Sequence, residues 1–343
     1  MNNPQISGTD KNMINTQRYK TNKNMNDIQR YGTDRGMNDM QRYGIDRPGR
    51  LKEVLLHSPE YSIRRVNENN LQFYLFDKVP DYNRFIDEHY AYHKLLTDNG
   101  VEVHELSNLI VNNRELMSYL VNLIYLNDIA VITSKGAILS SMCPGGRQYE
   151  EIVVREALTA LSIPILHDVE PGEQFEGFIS LFPDTIFVAD TERHSKESAE
   201  RFFLFALQHF QYIVYAEIPQ ERRFMHPDMI FNMISDRLGL VFPPAFLNCW
   251  LITKNGRQKI DFISWMKKRT IELIPISDEE QQKWGTSFIS LAPNHIINYD
   301  ISLKPATQKV LESLGVHSTQ FHPEALLAGG GSLRCLTLQI LRE

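Results

Sequence analysis

Gly329-Gly330-Gly331-Ser332-Leu333-Arg334-Cys335 runs directly into Leu336-Thr337-Leu338-Gln339-Ile340-Leu341 near the end of this chain. Three consecutive glycines let the backbone take positive φ and approach a ligand or another segment closely, and the Leu-Thr-Leu-Gln-Ile pattern after them predicts a strand. Cys335 is therefore expected at the mouth of a strand beside an open loop, where a nucleophilic thiol can be reached. A lone cysteine can also be a small apolar residue packed near a terminus; a second motif shifts the balance. Met225-His226-Pro227-Asp228 opens a segment, Met229-Ile230-Phe231-Asn232-Met233-Ile234, of strand-like composition. In extended backbone, residues two apart project to the same side. The His226 imidazole and the Asp228 carboxylate are thus expected to face one ligand together, with Pro227 marking an edge or a strand end.

The 343 residues are 42% hydrophobic and 23% charged, ordinary for a globular protein with ample core. A net charge of -6, from 36 basic and 42 acidic residues, gives no electrostatic footprint for nucleic acid. Neither a run of 18 apolar residues nor an N-terminal apolar h-region is visible, so no membrane partner is expected. Cys143, Cys249 and Cys335 are too few and too scattered for a disulfide framework or a zinc site, which makes a reducing, cytoplasmic setting the default.

Residues 1–45 are a different material. Met13, Met25 and Met37 head units carrying Gln17-Arg18-Tyr19, Gln29-Arg30-Tyr31 and Gln41-Arg42-Tyr43, a period of 12 residues. Branched aliphatics are nearly absent, so this tail is expected to be disordered alone, as a binding or oligomerisation element or a tolerated expansion. Residues 46–343 read as one folded catalytic domain without a linker. Strands are expected at 51–57, 101–106, 129–133, 137–140, 185–189, 212–218, 238–242 and 288–291, and helices at 80–99, 149–161, 196–209, 260–268 and 307–314. Interleaved strands and helices make the class α/β or α+β around a single core.

The stretch Gly49-Arg50-Leu51-Lys52-Glu53-Val54-Leu55-Leu56-His57-Ser58-Pro59, the Leu75-Phe76-Asp77 element, His226-Pro227-Asp228 and the glycine-rich run to Cys335 occur in the order that resembles the guanidine-modifying superfamily. That group holds arginine deiminases, dimethylarginine hydrolases and arginine amidinotransferases, and the nearest likeness is to arginine deiminase. The resemblance implies the pentein fold, an α/β propeller of five ββαβ-like units around a pseudo-fivefold axis. The 298 residues from 46 to 343 suit five such units without the extra helical module that deiminases insert.

Carried over residue by residue, the resemblance places Asp128 on the family's substrate-binding aspartate and Asn122 near the substrate's amino-acid end. It makes Arg147 and Arg193 candidates for holding an α-carboxylate, and Glu176 the start of a Glu-Gly-Gly-Asp motif. The match is incomplete. This chain has Glu176-Gly177-Phe178-Ile179, Asn127 where arginine precedes the aspartate, and Val121 and Tyr125 where the family has proline and phenylalanine.

Asp128, Glu176, His226, Asp228 and Cys335 also make chemical sense together. A guanidinium is a permanent planar fork of donors, matched by carboxylates, here Asp128 and Asp228. Its carbon suits attack by a thiolate, and an ordinary thiol needs the bound cation and His226 to reach that state. His226 is expected to move protons to the departing nitrogen and from water, with Glu176 orienting it. The expected activity is a cysteine-dependent hydrolase acting on a small guanidino substrate, arginine or a close relative, through a covalent thiouronium. No cofactor or metal is expected. An amidinotransferase and a noncatalytic scaffold are the alternatives, and double hydrolysis, homo-oligomerisation and a tail partner stay open. Cys143, Cys249, His57, His104 and His322 are expected to be structural or surface groups, and Pro144-Gly145-Gly146 lacks the Lys-Ser/Thr of a phosphate loop.

Overall fold

The computed structural model describes residues 42–47, 49–59, 61–142, 145–168 and 174–343. The expectations for the repeats through Gln41 and for Cys143 lie outside the described residues. The apolar stretch at β1 (Leu51–Leu56) leads through helix α1 (Tyr82–Asp98) to β2 (Glu102–Glu105), which lies parallel to β1. Helix α1 begins where the Asp81 carboxylate accepts the Arg84 backbone N–H at 3.1 Å. It stops at Asn99-Gly100, where Gly100 takes φ +77°.

Four further units repeat one plan, an antiparallel pair followed by a helix and a parallel return. The first is β3 (Ala130–Thr133), β4 (Gly136–Leu139), α2 (Glu150–Ala160) and β5 (Ile165–Asp168). The second is β6 (Ile179–Phe182), β7 (Thr185–Asp190), α3 (Lys196–His209) and β8 (Tyr212–Glu217). The third begins with β9 (Phe231–Met233) and β10 (Leu238–Val241). A hairpin of β11 (Asn248–Thr253) and β12 (Gly256–Ile260) then extends the preceding sheet beside β8, before α4 (Phe262–Lys267) and β13 (Glu272–Pro275) complete the unit. The fourth is β14 (Ile289–Ala292), β15 (His295–Tyr299), α5 (Pro305–Ser313) and β16 (His317–Phe321).

The last strand, β17 (Leu338–Arg342), pairs antiparallel with β1, Leu55 opposite Leu338 and Leu51 opposite Arg342. The sheet β17-β1-β2 therefore takes its first strand from the C-terminal end of the chain, and five sheets share the same order of antiparallel and parallel pairing. Every residue of β3, β4 and β10 is buried. Continuous apolar strands of this kind are what burial on both faces selects. Among the described residues no helix is long and apolar enough to cross a membrane. Backbone hydrogen bonds tie Gly44 to Ile340 at 2.7 Å and Ile45 to Ile132 at 3.1 Å, which joins these two residues to β17 and β3.

Two local expectations are corrected. Cys335 stands just ahead of β17, as expected, yet not beside an open loop but in a helical turn, Leu333–Leu336, that starts because Ser332 Oγ accepts the Cys335 backbone N–H at 3.3 Å. It is 7% exposed. The residues around Asp228 are not extended either. Pro227–Met229 is a turn of 3-10 helix and only His226, at φ -134° and ψ 153°, has strand geometry. Proline's fixed φ is preorganised for the first position of such a turn, and so His226 and Asp228 do not alternate along a strand.

The glycine run is used for close packing rather than openness. A Cβ at Gly329 would overlap the Tyr125 hydroxyl and lie 3.0 Å from its Cζ, and a Cβ at Gly331 would enter the same ring. Gly329→Ala is expected to lower stability by about 1–3 kcal/mol through overpacking. Adding Tyr125→Phe, which removes the overlapping oxygen, should recover part of that loss in a thermal melt; no recovery would show that the strain lies elsewhere.

Candidate active site

The first strands of the five sheets are preceded by short turns, and those turns carry the candidate site residues. Asp128 ends the turn before β3, Glu176 lies just ahead of β6, Asp228 is in the turn before β9, Ser287 precedes β14, and Cys335 precedes β17. All five are buried. The helical turn of Cys335 packs on the turn Leu126–Asp128, which brings the C-terminal thiol to the first of these carboxylates.

One cluster is built on His226. Its Nε2 lies 3.3 Å from Glu176 Oε1 and its Nδ1 is 3.3 Å from Asp128 Oδ1. Gly177, at φ +72°, makes the first of these contacts possible, because a Cβ there would stand 2.8 Å from His226 Cδ2. The glycine of the Glu-Gly pair is thus a requirement for laying the imidazole against the backbone. Burial alone would lower the His226 pKa, but Asp128 and Glu176 outweigh it and hold it above the ordinary 6.5. For Glu176, burial pushes upward, yet the hydrogen bond and charge of His226, with Arg147 and Arg193, bring it down to about 2.

Arg147 stands behind Asp128. Its Nη1 donates to Asp128 Oδ2 at 2.7 Å, its Nε to Glu150 Oε2 at 3.0 Å, and its Nη2 to the Tyr125 carbonyl at 2.9 Å. The guanidinium is committed to the protein, which corrects the expectation that it holds a substrate carboxylate. Arg193 is less tied, with Nη1 3.7 Å from Glu176 Oε1 and Nη2 3.5 Å from Met225 Sδ. Asn122 is buried and its Nδ2 has no hydrogen-bond partner among the described residues.

The second cluster joins Asp228 to the thiol. Ser287 donates to Asp228 Oδ2 at 2.6 Å, Ser287 and Ser332 share a 2.6 Å hydrogen bond, and Ser332 Oγ is 3.4 Å from Cys335 Sγ. Arg334 Nε lies 3.7 Å from the same Asp228 oxygen. Burial, with the charges of Asp228 and Asp128, pushes the Cys335 thiol up to about 12. Sequence reasoning expected His226 to favour the thiolate; here both imidazole nitrogens are engaged by carboxylates and the thiol's hydrogen bond is to Ser332. Ser287, Ser332, Arg334 and Glu150 were not anticipated as site residues. Ser332 had a readable signal, a serine three residues before a cysteine at the start of a helical turn. Elsewhere, His57 Nδ1 lies 3.7 Å from Glu105, His104 Nε2 3.0 Å from Glu53 and His322 Nδ1 2.7 Å from Asp300, each beside a carboxylate outside these two clusters. Cys249 is buried and free.

The Glu176–His226 pair gives stability a defined pH dependence. The depressed Glu176 contributes fully above its ordinary 4.5 and loses that contribution as pH falls toward about 2. The raised His226 contributes fully below 6.5 and loses it as pH rises through the raised value. Glu176→Gln, which removes one of the two carboxylates that hold His226 charged, should cost about 3–5 kcal/mol in the window between these limits. The deficit should shrink on the alkaline side, as followed by denaturant unfolding; a deficit independent of pH would contradict the pairing.

The family model of arginine deiminase matches residues 112–342. The arginine deiminase of Listeria welshimeri is 26% identical over 254 residues, covering 65% of this chain and 62% of that enzyme, so the chain spans less than two thirds of that relative. A solved complex of AgrE with ornithine and NAD+ is similar with a TM-score of 0.65 at 14% identity, over 85% of this chain and 40% of AgrE. The N-terminal domain of an ArgZ variant, covalently bonded to a reaction intermediate, is similar with a TM-score of 0.64 at 14% identity, over 84% of this chain and 98% of that domain. A mixed α/β fold shared with these proteins, and a family model matched across most of the chain and through all five of the turns that carry the buried acids, serine and thiol, make this chain a member of the arginine deiminase family.

Proposed function

We propose that this protein hydrolyses the guanidinium group of arginine or a close relative, with Cys335 as nucleophile and a citrulline-like ureido product. The observation that carries this reading is the convergence of Asp128, Asp228, His226, Glu176 and Cys335, from turns distant in sequence, on the same ends of the first strands. The five sheets are read as blades around a pseudo-fivefold axis, with the reaction at that end of the central channel. Family membership and the covalent intermediate of the ArgZ domain support the same reading.

The thiol at about 12 is almost wholly protonated at neutral pH, and two of the groups responsible are Asp228 and Asp128. A guanidinium held between these carboxylates neutralises the field that opposes ionisation and adds a positive charge beside the sulfur. The nucleophile is thus activated by the cation it attacks. Ser287 donates its hydroxyl in a hydrogen bond to Asp228, which leaves Ser332 donating either to Ser287 or to sulfur. As the thiolate forms, its proton is released to solvent and the Ser332 hydroxyl turns to Sγ.

Cys335 Sγ then adds to the guanidinium carbon. His226, kept protonated by its two carboxylates, gives a proton to the departing nitrogen, and the C–N bond breaks to release ammonia and leave an S-alkylthiouronium. The imidazole next takes a proton from water as that water attacks the same carbon. The C–S bond breaks, the proton returns to sulfur, and the ureido product leaves. Glu176 orients His226 throughout, Arg147 and Glu150 fix Asp128, and Arg193 and Asn122 are assigned to the substrate's carboxylate and amino end.

Arginine incubated with the enzyme should give ammonia and a product one mass unit heavier, and Cys335→Ala should lose turnover with an unchanged thermal melt. Amine-dependent formation of ornithine would instead establish amidine transfer, and ornithine with a second ammonia would establish a second hydrolysis. Residual turnover in Cys335→Ala would refute the assignment. In a separate experiment, chloroacetamidine, which carries the cation, should alkylate Cys335 at neutral pH much faster than neutral chloroacetamide; equal rates would exclude activation by the bound charge. Ser332→Ala should lower kcat about tenfold, equivalent to about 1.4 kcal/mol of lost thiolate stabilisation, with little change in KM.

A further inference from the structure

The third of the twelve-residue repeats, headed by Met37, runs into the fold. Its Tyr43-Gly44-Ile45-Asp46 lies across two sheets, from β17 to β3. Gly44 bridges Leu341 in parallel register, its N–H donating to the Ile340 carbonyl at 2.7 Å and its carbonyl accepting the Arg342 N–H at 3.1 Å. One residue on, the Ile45 N–H donates to the Ile132 carbonyl at 3.1 Å. Asp46 Oδ2 then accepts from the Ser134 backbone N–H at 3.2 Å and from the Ser134 hydroxyl at 2.6 Å, just past the end of β3. Tyr43 packs on the core that contains Ile132 and Ile340, and Ile45 on the core that contains Val131 and Ile138.

What this seat demands is legible position by position. Gly44 is buried at φ +120°, a backbone that L side chains rarely adopt, so its position requires glycine. Asp46, 3% exposed, takes both donors of Ser134, so its position requires a short carboxylate. The Tyr43 position lays an aromatic ring on the core, and the Ile45 position is half-buried.

A second stretch of the chain meets these demands. Gln41-Arg42-Tyr43-Gly44-Ile45-Asp46-Arg47 and Gln29-Arg30-Tyr31-Gly32-Thr33-Asp34-Arg35 differ at one position, Ile45 against Thr33. The first repeat, Gln17-Arg18-Tyr19-Lys20-Thr21-Asn22-Lys23, does not qualify, because Lys20 falls on the glycine position and Asn22 on the carboxylate.

We propose that the seat between β17 and β3 is an exchangeable docking site for the Tyr-Gly-x-Asp motif. Its second occupant is Tyr31-Gly32-Thr33-Asp34 of the same chain, which enters by a twelve-residue slip when the third repeat is displaced. The hydrogen bonds of the seat use backbone groups and one aspartate carboxylate, and each is remade after the slip. Two differences favour the third repeat. Thr33 gives up part of the apolar contact of Ile45. The connection to Leu51 also grows from residues 47–50 to residues 35–50, four residues against sixteen, which loop-closure entropy penalises about eightfold. The third repeat therefore holds the seat in the unaltered chain, and the second is a tethered spare. Either one fastens β3, which follows the Asp128 turn, to β17, which follows the Cys335 turn. The docking does not depend on the reaction proposed at Cys335 and is read without measuring activity.

The test is hydrogen exchange of the full chain, followed by mass spectrometry in segments 17–23, 29–35 and 41–47. Gly44→Val puts a β-branched residue where the seat needs positive φ. Segment 29–35 should then exchange about tenfold more slowly than in the unaltered chain, with segment 17–23 unchanged. In the double variant Gly32→Val, Gly44→Val that protection should vanish. Thermal melts should follow the same logic, with Gly32→Val alone unchanged and the double variant falling further than the two single effects combined. Asp34→Ala and Asp46→Ala, which leave the glycines in place, should repeat the pattern, and they decide if Gly44→Val fails to fold. Unchanged exchange of segment 29–35 in Gly44→Val, or a double variant that melts no lower than Gly44→Val, would overturn the proposal. So would protection of segment 29–35 that rises with chain concentration, which would assign the second occupant to another copy of the chain.

Discussion

The structure depends on keeping carboxylates buried beside one another without letting them repel the chain apart. Asp128, Glu150, Glu176 and Asp228 are all within a few per cent of full burial, and each has a cation or a charge-assisted donor against it. Removing such groups from water costs several kcal/mol apiece unless the geometry returns it. Here it is returned by Arg147 on Asp128, by His226 between Asp128 and Glu176, and by Ser287 on Asp228, whereas at Glu150 burial outweighs Arg147 and pushes the carboxyl up to about 8. A pocket balanced in this way is poised for a cation. Adding a guanidinium creates an excess of positive charge in a low-dielectric site, and the neutral thiol is the group able to answer it by giving up a proton. In the proposed reaction, acidity that looks unfavourable for a cysteine nucleophile is therefore the device that makes its ionisation conditional.

Much of the fold was readable because the buried strands are apolar over their full length and the main helices carry local stop and start signals. Helix α3 falls at Lys196–His209 as expected, with Ser195 accepting the Ser198 N–H at 3.1 Å. The expected set omits apolar strands as well, β5, β6, β11, β13 and β15, which short apolar runs do not distinguish from other buried segments, and two strands whose composition says little. β12 reads Gly-Arg-Gln-Lys-Ile, mostly exposed, and only the Asn255-Gly256 turn signals its hairpin with β11. β16 reads His-Ser-Thr-Gln-Phe and becomes a strand through parallel pairing with β15, a nonlocal bond that no local pattern announces.

The candidate site was legible in residue type more than in geometry. Carboxylates, an imidazole and a thiol could be picked out by what a guanidinium needs. How they are held could not. The Ser287–Ser332 bond joins positions 45 residues apart, and neither serine stands in a pattern that names its partner. Arg147 was misjudged because a guanidinium serves a substrate carboxylate and a buried protein carboxylate equally well; only the 2.7 Å contact with Asp128 distinguishes them. The His226-Pro227-Asp228 reading erred for a local reason. Proline after histidine starts a turn, and the turn sends the two side chains to different partners.

The position of Cys335 also binds the proposed catalysis to closure of the whole chain. Its helical turn is followed immediately by β17, which completes the sheet of β1 and β2, and Arg342 at the end of β17 is bonded to the Gly49 carbonyl. The sulfur reaches Asp128 only because that last strand is docked against the first one, across nearly the full length of the folded chain. Loop-closure entropy makes such a contact late and costly to form, so the remaining units must supply most of the stability before the two ends meet. A nucleophile placed there cannot be assembled in a partly folded chain. The acids assigned to the substrate and the thiol assigned to attack it come into register in the same event that closes the β17-β1-β2 sheet.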